Sequence, residues 1–206
     1  MLNVNDIFDT AEDGTKIINK DKIMEIVTTD HTHYEVLIQK TQKIEENELP
    51  LAREMAALLF ESLQPYLPAA GLAAPQIGIS KSIFIYSYNR DPKNLEVVIN
   101  PEFTPIGNEM IEEWEACFST VLSQHDIQIA KLKRYAKIKV NYLNLEGQKI
   151  EAVLEGFAAK AFQHEYDHLQ GIINIHKPGS IVKRFDSREE LDAFIEGMKK
   201  QDSKRY

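Results

Sequence analysis

Apolar residues recur at helical spacing in one stretch of the N-terminal half of the chain. The positions that repeat at intervals of three and four are Leu51, Met55, Leu58, Leu59 and Leu63. Pro50 suits the first turn of a helix because its fixed φ is already helical and no hydrogen bond is lost there. Pro65 and Pro68 lack the backbone donor that a helix needs, so the helix should end before them. The pattern predicts a helix over residues 50–64.

Two further helices are predicted towards the C-terminus. One covers residues 156–170, and Gly171 stands where a left-handed residue commonly ends a helix. The other is amphipathic and covers about residues 188–200. Ser187 is placed to cap its first turn, with Glu190 three residues further on as the second half of a capping box.

The strand signals lie between the first two of these helices. Runs rich in β-branched and aromatic residues predict strands at residues 82–88, 95–100, 137–143 and 148–154. Pro101 is expected to end the second strand, and Asn144–Gly147 is a typical hairpin turn. The segment 69–80 is too irregular for a helix and too rich in glycine for a plain strand. Strands followed by a late helix indicate an α+β fold, with a mostly antiparallel sheet around the helix at 156–170.

Composition and charge narrow the classes of protein. The 206 residues favour one domain, and 43% apolar with 27% charged residues is ordinary for a globular chain. The 24 Lys and Arg against 32 Asp and Glu give a net charge of −8, which argues against DNA or an anionic membrane as a partner. A single cysteine excludes an intramolecular disulfide, so a cytoplasmic location is expected. No apolar run is long enough to span a bilayer.

The most informative segment for chemistry is His164–His168, with the sequence HEYDH. On a helix, residues four apart share one face, so His164 and His168 can both point at one metal ion. Glu165 lies about 100 degrees further round, from the helical period, where it can act as a base towards a water that the metal activates. The plain alternative is a surface helix with incidental histidines.

Two histidines need a third protein ligand to make a catalytic site. Glu189 and Glu190 follow at distances that resemble those of thermolysin-like proteases, and Asn174 stands where a metzincin would need histidine. The upstream candidate is Cys117, although a lone cysteine is often only a buried structural residue. The spacing alone leaves these ligands open.

Three separated motifs resemble the signature of peptide deformylases. Gly71–Gln76 reads GLAAPQ, Glu115–Ser119 reads EACFS, and His164–Gly171 reads HEYDHLQG. The family patterns are G-x-G-L-A-A-x-Q, E-G-C-L-S and H-E-x-D-H-x-x-G, and they occur here in the same order. The resemblance extends from about Tyr34 to His176. It implies a single deformylase-like catalytic domain at residues 27–206, preceded by a polar N-terminal extension at residues 1–26.

The chain departs from these patterns at three positions. Ala69 and Ala116 replace glycines of the first and second motifs, and Phe118 replaces a leucine. A Cβ atom at residue 116 could crowd a substrate backbone that normally approaches a glycine, so the rate and the substrate range are expected to change more than the type of reaction.

The resemblance implies a role for each motif residue. Cys117, His164 and His168 would bind one divalent metal, most naturally Fe²⁺, with Zn²⁺, Ni²⁺ or Co²⁺ as substitutes. Glu165 would move the proton of the attacking water while formate leaves an N-formylmethionyl peptide. Gln76 and the backbone N–H of Phe118 would stabilise the oxyanion.

Around this centre, further residues are expected to support the ligands or to contact the substrate. Glu115 would accept a hydrogen bond from a ligand histidine, and Arg134 would pair with Asp167. The residues expected to contact the substrate are Gly71, Ala116, Phe157 and Ala161. Transient ribosome contact through the basic tail at 199–205 is a further hypothesis. Two alternatives stay open, namely a deformylase-like protein with altered or lost activity, and a metalloprotease that uses Glu189 or Glu190.

Overall fold

The computed structural model describes residues 8–10, 16–18 and 25–202 of the chain, with side chains for residues 25–198. It confirms the predicted α+β class with antiparallel sheets. The helices are α1 (Leu49–Leu63), α2 (Gly156–Leu169) and α3 (Arg188–Asp202). Each begins and ends within two residues of the predicted bounds.

Within the described residues, ten strands form three antiparallel sheets. The strands are β1 (Phe8–Thr10), β2 (Lys16–Ile18), β3 (Gly71–Ala73), β4 (Ile83–Ser87), β5 (Leu95–Pro105), β6 (Met110–Ser123), β7 (Asp126–Tyr135), β8 (Lys137–Leu143), β9 (Lys149–Glu155) and β10 (Ile181–Phe185). Strands β1 and β2 pair with each other, the order β10-β7-β6 forms a second sheet, and the order β3-β4-β5-β8-β9 forms the third. Short 3₁₀ turns connect several of them, including Ala74–Ile77 directly after β3.

Strand β4 lies between two helices, and its side chains show how the core is divided. Ile83 and Ile85 belong to a core cluster with the buried face of α1, whereas Phe84 and Tyr86 pack with Phe162 of α2. Alternate residues of a strand point to opposite faces, so both faces of β4 are covered and all five of its residues are buried. Helix α2 is therefore held against the sheet along its apolar face.

Two glycines delimit helix α2. Gly156 precedes the first full turn with φ of +56°, and Gly171 follows the last turn with φ of +74°. A Cβ atom on Gly171 would also lie 2.7 Å from the backbone of Ile38, so this position requires glycine for space as well as for conformation. The predicted C-terminal cap therefore agrees with the structure.

The prediction that Pro101 ends a strand is wrong. Strand β5 continues to Pro105, and its pairing with β8 shifts register between Ile99 and Glu102. Asn100 sits in this bulge with φ of +49°, and its side chain bonds both the N–H and the carbonyl of Ile44. The bulge places Pro101, which has no N–H to donate, where the β5–β8 ladder is already interrupted.

The three-stranded sheet was not predicted. Strands β6 and β7 form a long hairpin, β10 pairs along β7, and helix α3 packs on this sheet through Trp114, Phe185 and Phe194.

None of the helices in the described part of the chain has the length and apolar character to cross a membrane. The basic tail lies outside the residues whose side chains are described.

Candidate metal centre

Strand β6 and helix α2 bring one sulfur and two imidazoles together. The ligand atoms of Cys117, His164 and His168 all lie within 4.8 Å of one another. Cys117 Sγ is 3.3 Å from His168 Nε2, and the two imidazole centroids are 5.1 Å apart. This is the separation that three protein ligands need to share one ion.

A break in the β6–β7 ladder places the sulfur. Ala116 pairs with Ile129 and Val121 pairs with Ile127, so four residues of β6 face one residue of β7. Thr120 closes this bulge, because its Oγ1 donates to the carbonyl of Cys117 and also lies within hydrogen-bonding distance of the Gln128 carbonyl. Such bulges commonly redirect a side chain next to an active site. Here the bulge begins at the residue that carries the thiol.

The His164 imidazole is oriented by Glu115. His164 Nδ1 lies 2.9 Å from Glu115 Oε2, and a proton donated on that side leaves the Nε2 lone pair for a metal ion. Burial would lower the pKa of His164, but its contacts with Cys117 and Glu115 outweigh burial and raise the pKa above 6.5. Metal binding at this imidazole therefore competes with a proton. Burial and the nearby charge of His164 lower the pKa of His168, which favours its neutral form.

Arg134 connects the two elements that carry the ligands. Its Nε and Nη2 donate to both oxygens of Glu115 at 2.9 and 2.8 Å, and its Nη1 donates to Asp167 of α2. Burial would raise the pKa of Glu115, but the hydrogen bonds from Arg134 and His164 outweigh it and hold the pKa far below its usual value. All three members of this Glu115–Arg134–Asp167 network are buried. The opposite charges compensate one another, because a single unpaired charge at this buried position would cost several kcal/mol in lost hydration.

Four further residues, three of them outside the motifs, complete the site. Lys177 donates to Asp167 at 2.5 Å, and Asn174 donates to the backbone carbonyl of Glu115 at 3.0 Å. The backbone carbonyl of Gln163 accepts a hydrogen bond from Arg134 at 3.3 Å. Ser119 Oγ lies 3.2 Å from the amide nitrogen of Gln76. Ser119 belongs to the second motif and could have been proposed from it, whereas the other three depend on tertiary contacts.

Glu165 lies beside the ligands in an almost dry position. It is 3% exposed, and burial raises the pKa of its carboxyl to about 7. Its Oε2 has no hydrogen-bond partner among the described residues. A carboxyl group in this state can exchange a proton near neutral pH.

The first motif aims the side-chain amide of Gln76 at the sulfur. Its Oε1 accepts from the N–H of Ala73 at 2.9 Å, which fixes the amide, and its Nε2 lies 3.6 Å from Cys117 Sγ. Phe118 follows the cysteine in the bulge, and its ring packs on Tyr66 with centroids 4.8 Å apart. Of the two donors that the resemblance implies for an oxyanion, the Gln76 amide therefore lies against the thiol, and Phe118 is the next residue of the chain after Cys117.

The residues expected to contact the substrate occupy two places. Gly71 opens strand β3 and is buried, and Ala116 is exposed on the strand beside the thiol. Ala161 and the half-buried Phe157 lie on α2 before His164, and the Arg90 guanidinium stands 4.8 Å from the Phe157 ring centroid. Because seven residues make almost two helical turns, Phe157 shares the face of His164.

The structure does not support a glutamate as third ligand. Glu189 and Glu190 are exposed in the first turn of α3, and Glu190 Oε2 accepts from the N–H of Asp186. Within residues 25–198, the cluster able to hold a metal has the thiol as its third member. A thiol with two imidazoles suits a divalent transition metal, and the unpartnered, buried Oε2 of Glu165 beside them fits a site completed by a bound group. These features are typical of a metal-dependent hydrolase.

Comparison with known sequences agrees with this class. The profile of the polypeptide deformylase family matches residues 23–200. The peptide deformylase of Thermotoga petrophila is 40% identical over 133 residues, which cover 65% of this chain and 75% of the relative. Peptide deformylase 1 of Nitrosomonas europaea is 32% identical over 146 residues, which cover 66% of this chain and 78% of the relative.

Solved structures show the same likeness. A Met-Ala-Ser-bound class I type b peptide deformylase from Acinetobacter baumannii superposes with a TM-score of 0.65 at 28% identity, over 75% of this chain and 99% of that chain. The peptide deformylase of Thermotoga maritima gives 0.58 at 33% identity, over 73% and 93%. This chain belongs to the polypeptide deformylase family. It is a metal-dependent enzyme that removes the N-formyl group from nascent peptides.

Proposed function

We propose that Cys117, His164 and His168 hold one divalent ion, and that deformylation of N-formylmethionyl peptides takes place beside it. The observation that carries this proposal is the approach of the three ligand atoms to within 4.8 Å of one another, next to the buried Glu165. Iron(II) is the proposed native ion, because a thiolate with two imidazoles suits it, and Zn²⁺, Ni²⁺ or Co²⁺ would be substitutes. When bound, such an ion supplies the Lewis acidity that makes water a nucleophile near neutral pH.

Glu165 is proposed to act as the base. Its carboxylate accepts a proton from the water that attacks the formyl carbon, and it returns that proton to the nitrogen of the leaving amine. Burial, which raises the pKa of this carboxyl to about 7 in the metal-free protein, supports both halves of this transfer, since it favours the protonated form from which the amine nitrogen takes its proton. The products are formate and a peptide with a free methionyl amine.

Gln76 and Phe118 are proposed to stabilise the charge that develops on the formyl oxygen. The Gln76 amide is held by Ala73, so its Nε2 donor needs no reorientation when the oxyanion forms. The backbone N–H of Phe118 is the second donor. Removing one preorganised donor of this kind typically costs about 10²–10³ in kcat.

The substrate is proposed to lie across the face that these donors share. Gly71 and Ala116 would meet its backbone, and Phe157 with Ala161 would line the pocket for the methionine side chain. Ala161, one turn before His164, would border this pocket, and the Phe157 ring would close it a turn further on.

The test is an anaerobic reconstitution with Fe²⁺ or Zn²⁺, followed by measurement of metal content and of formate released from formyl-Met-Ala-Ser. We expect one ion per chain and formate release in the wild type, and neither in Cys117→Ser. Stoichiometric metal without formate from any formylated peptide would instead support the alternative of a deformylase-like binder, for which Ala69, Ala116 and Phe118 would be the changed positions.

The remaining proposals concern the setting of the enzyme. Residues 1–26 are proposed to be an extension of a single catalytic domain at 27–206, and the compartment is proposed to be the cytoplasm.

Transient contact of the basic tail at 199–205 with ribosomal RNA is proposed from the charge of the tail. Ribosome co-sedimentation that falls with salt and is lost on deletion of 199–206 is expected. Binding that survives this deletion would contradict a role for the tail.

A further inference from the structure

Gly71 lies against the group that is proposed to act as base. It is the first residue of β3 and pairs with Tyr86 of β4. A Cβ atom at this position would stand 2.8 Å from Glu165 Oε1 and 2.9 Å from Glu165 Cδ. It would also stand 2.6 Å from the carbonyl oxygen of Ile85. Side-chain atoms essentially never approach that closely, so the carboxyl group occupies the space that a side chain on residue 71 would need.

Little else in the structure fixes that carboxyl group in place. Glu165 Oε2 has no hydrogen-bond partner among the described residues, although the residue is only 3% exposed. Its position is therefore set by the walls of its cavity, of which the bare backbone at Gly71 is one.

We infer that Gly71 is a positioning residue for Glu165: its missing side chain is the space that lets the carboxylate reach the reacting water. This inference rests on the proposed role of Glu165. This positioning role differs from a contact between Gly71 and the substrate backbone. It predicts that substitutions at residues 71 and 165 have coupled effects on the free energy of unfolding, even when no substrate is bound.

The size of the effect follows from the contact distances. To reach an ordinary van der Waals separation of 3.4 Å from a Cβ atom, the carboxyl group would have to withdraw by about 0.6 Å. Misplacements of about 1 Å in a reacting group can cost about 100-fold in rate. We therefore expect Gly71→Ala to lower kcat by about 10- to 100-fold, with KM changed less than threefold and one metal ion still bound.

The decisive experiment is a double-mutant cycle on the stability of the full-length, Zn²⁺-loaded protein. Urea midpoints are measured for the wild type, Gly71→Ala, Glu165→Ala and the double variant. We expect Gly71→Ala to lower the midpoint in both backgrounds, because the contact with the Ile85 carbonyl is unchanged, but by a smaller amount in the Glu165→Ala background, where the clash with the carboxyl is gone. Equal losses in both backgrounds would overturn the inference and assign the constraint to the Ile85 carbonyl.

Folding failure of the single variant does not remove the test. If Gly71→Ala does not fold but Gly71→Ala with Glu165→Ala does, the inference is supported; if neither folds, it is overturned. Leu72→Ala is the matched control, since it weakens the same strand through a fully buried side chain that packs in the core cluster of α1, on the opposite face of β3 from residue 71. It should lower the midpoint without the kcat loss. Absence of deformylation in the wild type would refute the proposed function, whereas the stability cycle would still report on residues 71 and 165.

Discussion

Replacing Glu165 with glutamine should change how the stability of the metal-free protein depends on pH. In the folded chain burial raises the pKa of this carboxyl from 4.5 to about 7. Between these two values the folded state keeps the proton and the unfolded state has lost it, so the free energy of unfolding of the wild type falls as pH rises. Glutamine cannot ionise and does not incur this loss.

The magnitude follows from the two pKa values. One pH unit in that interval is worth about 1.4 kcal/mol. From about pH 5 to pH 8 the wild type should therefore lose about 2–3 kcal/mol of stability relative to Glu165→Gln. Urea unfolding of the full-length chain after chelation, followed at both pH values, measures this difference. The exposed change Glu61→Gln on helix α1 is the matched control, and its difference from the wild type should stay within about 0.5 kcal/mol.

One result would refute the reasoning. If Glu165→Gln and the wild type keep the same stability difference at both pH values, the carboxyl is not held in a dry site in the folded protein. The variant should also lose about 10²–10⁴ of the rate of formate release while it still binds metal, which separates the base from the ligands.

Three further outcomes are expected. Cys117→Ser should lose the bound ion in metal analysis, whereas Glu189→Gln should keep both metal and activity; the reverse result would restore a protease-like ligand set. Arg134→Met should lower the free energy of unfolding by about 3–5 kcal/mol, because it leaves buried carboxylates without their partner, and a loss below about 1 kcal/mol in urea unfolding would contradict the network. Gln76→Ala should reduce kcat by about 10²–10³ with KM little changed, and a pure KM effect would argue against a contact to the oxyanion.

Local signals were sufficient for the helices and for the chemistry of the motifs. Helix α2 could be predicted because glycines stand at both ends and apolar residues recur along one face. Its HEYDH segment then determines which side chains share a surface. The cysteine could be joined to this site only through the resemblance, since spacing along the sequence left glutamates as equal candidates.

Contacts between segments that are distant in the chain could not be predicted from the sequence, for a physical reason. Several buried positions of the β6–β7 hairpin carry polar or charged residues, among them Glu115, Thr120 and Arg134, so the alternation of apolar and polar residues is broken. Lys177 and Asn174 lie in the segment after α2 and donate hydrogen bonds to Asp167 and Glu115. The spacing of residues along the chain does not predict such contacts. The end of strand β5 was mispredicted at Pro101, because a bulge with Asn100 at positive φ accommodates the proline within the strand.

The ligands of the proposed ion come from two separate elements, with residues 118–163 between them. An ion that binds only the folded arrangement would tie the β6–β7 hairpin to helix α2 and would favour the native state by mass action. A thiolate is also the kind of ligand that oxidants attack, and oxidation of this sulfur would remove that link between the two elements. The cellular lifetime of the polypeptide would then follow metal supply and oxidant load, so that a chemically damaged molecule becomes an easier target for proteolysis.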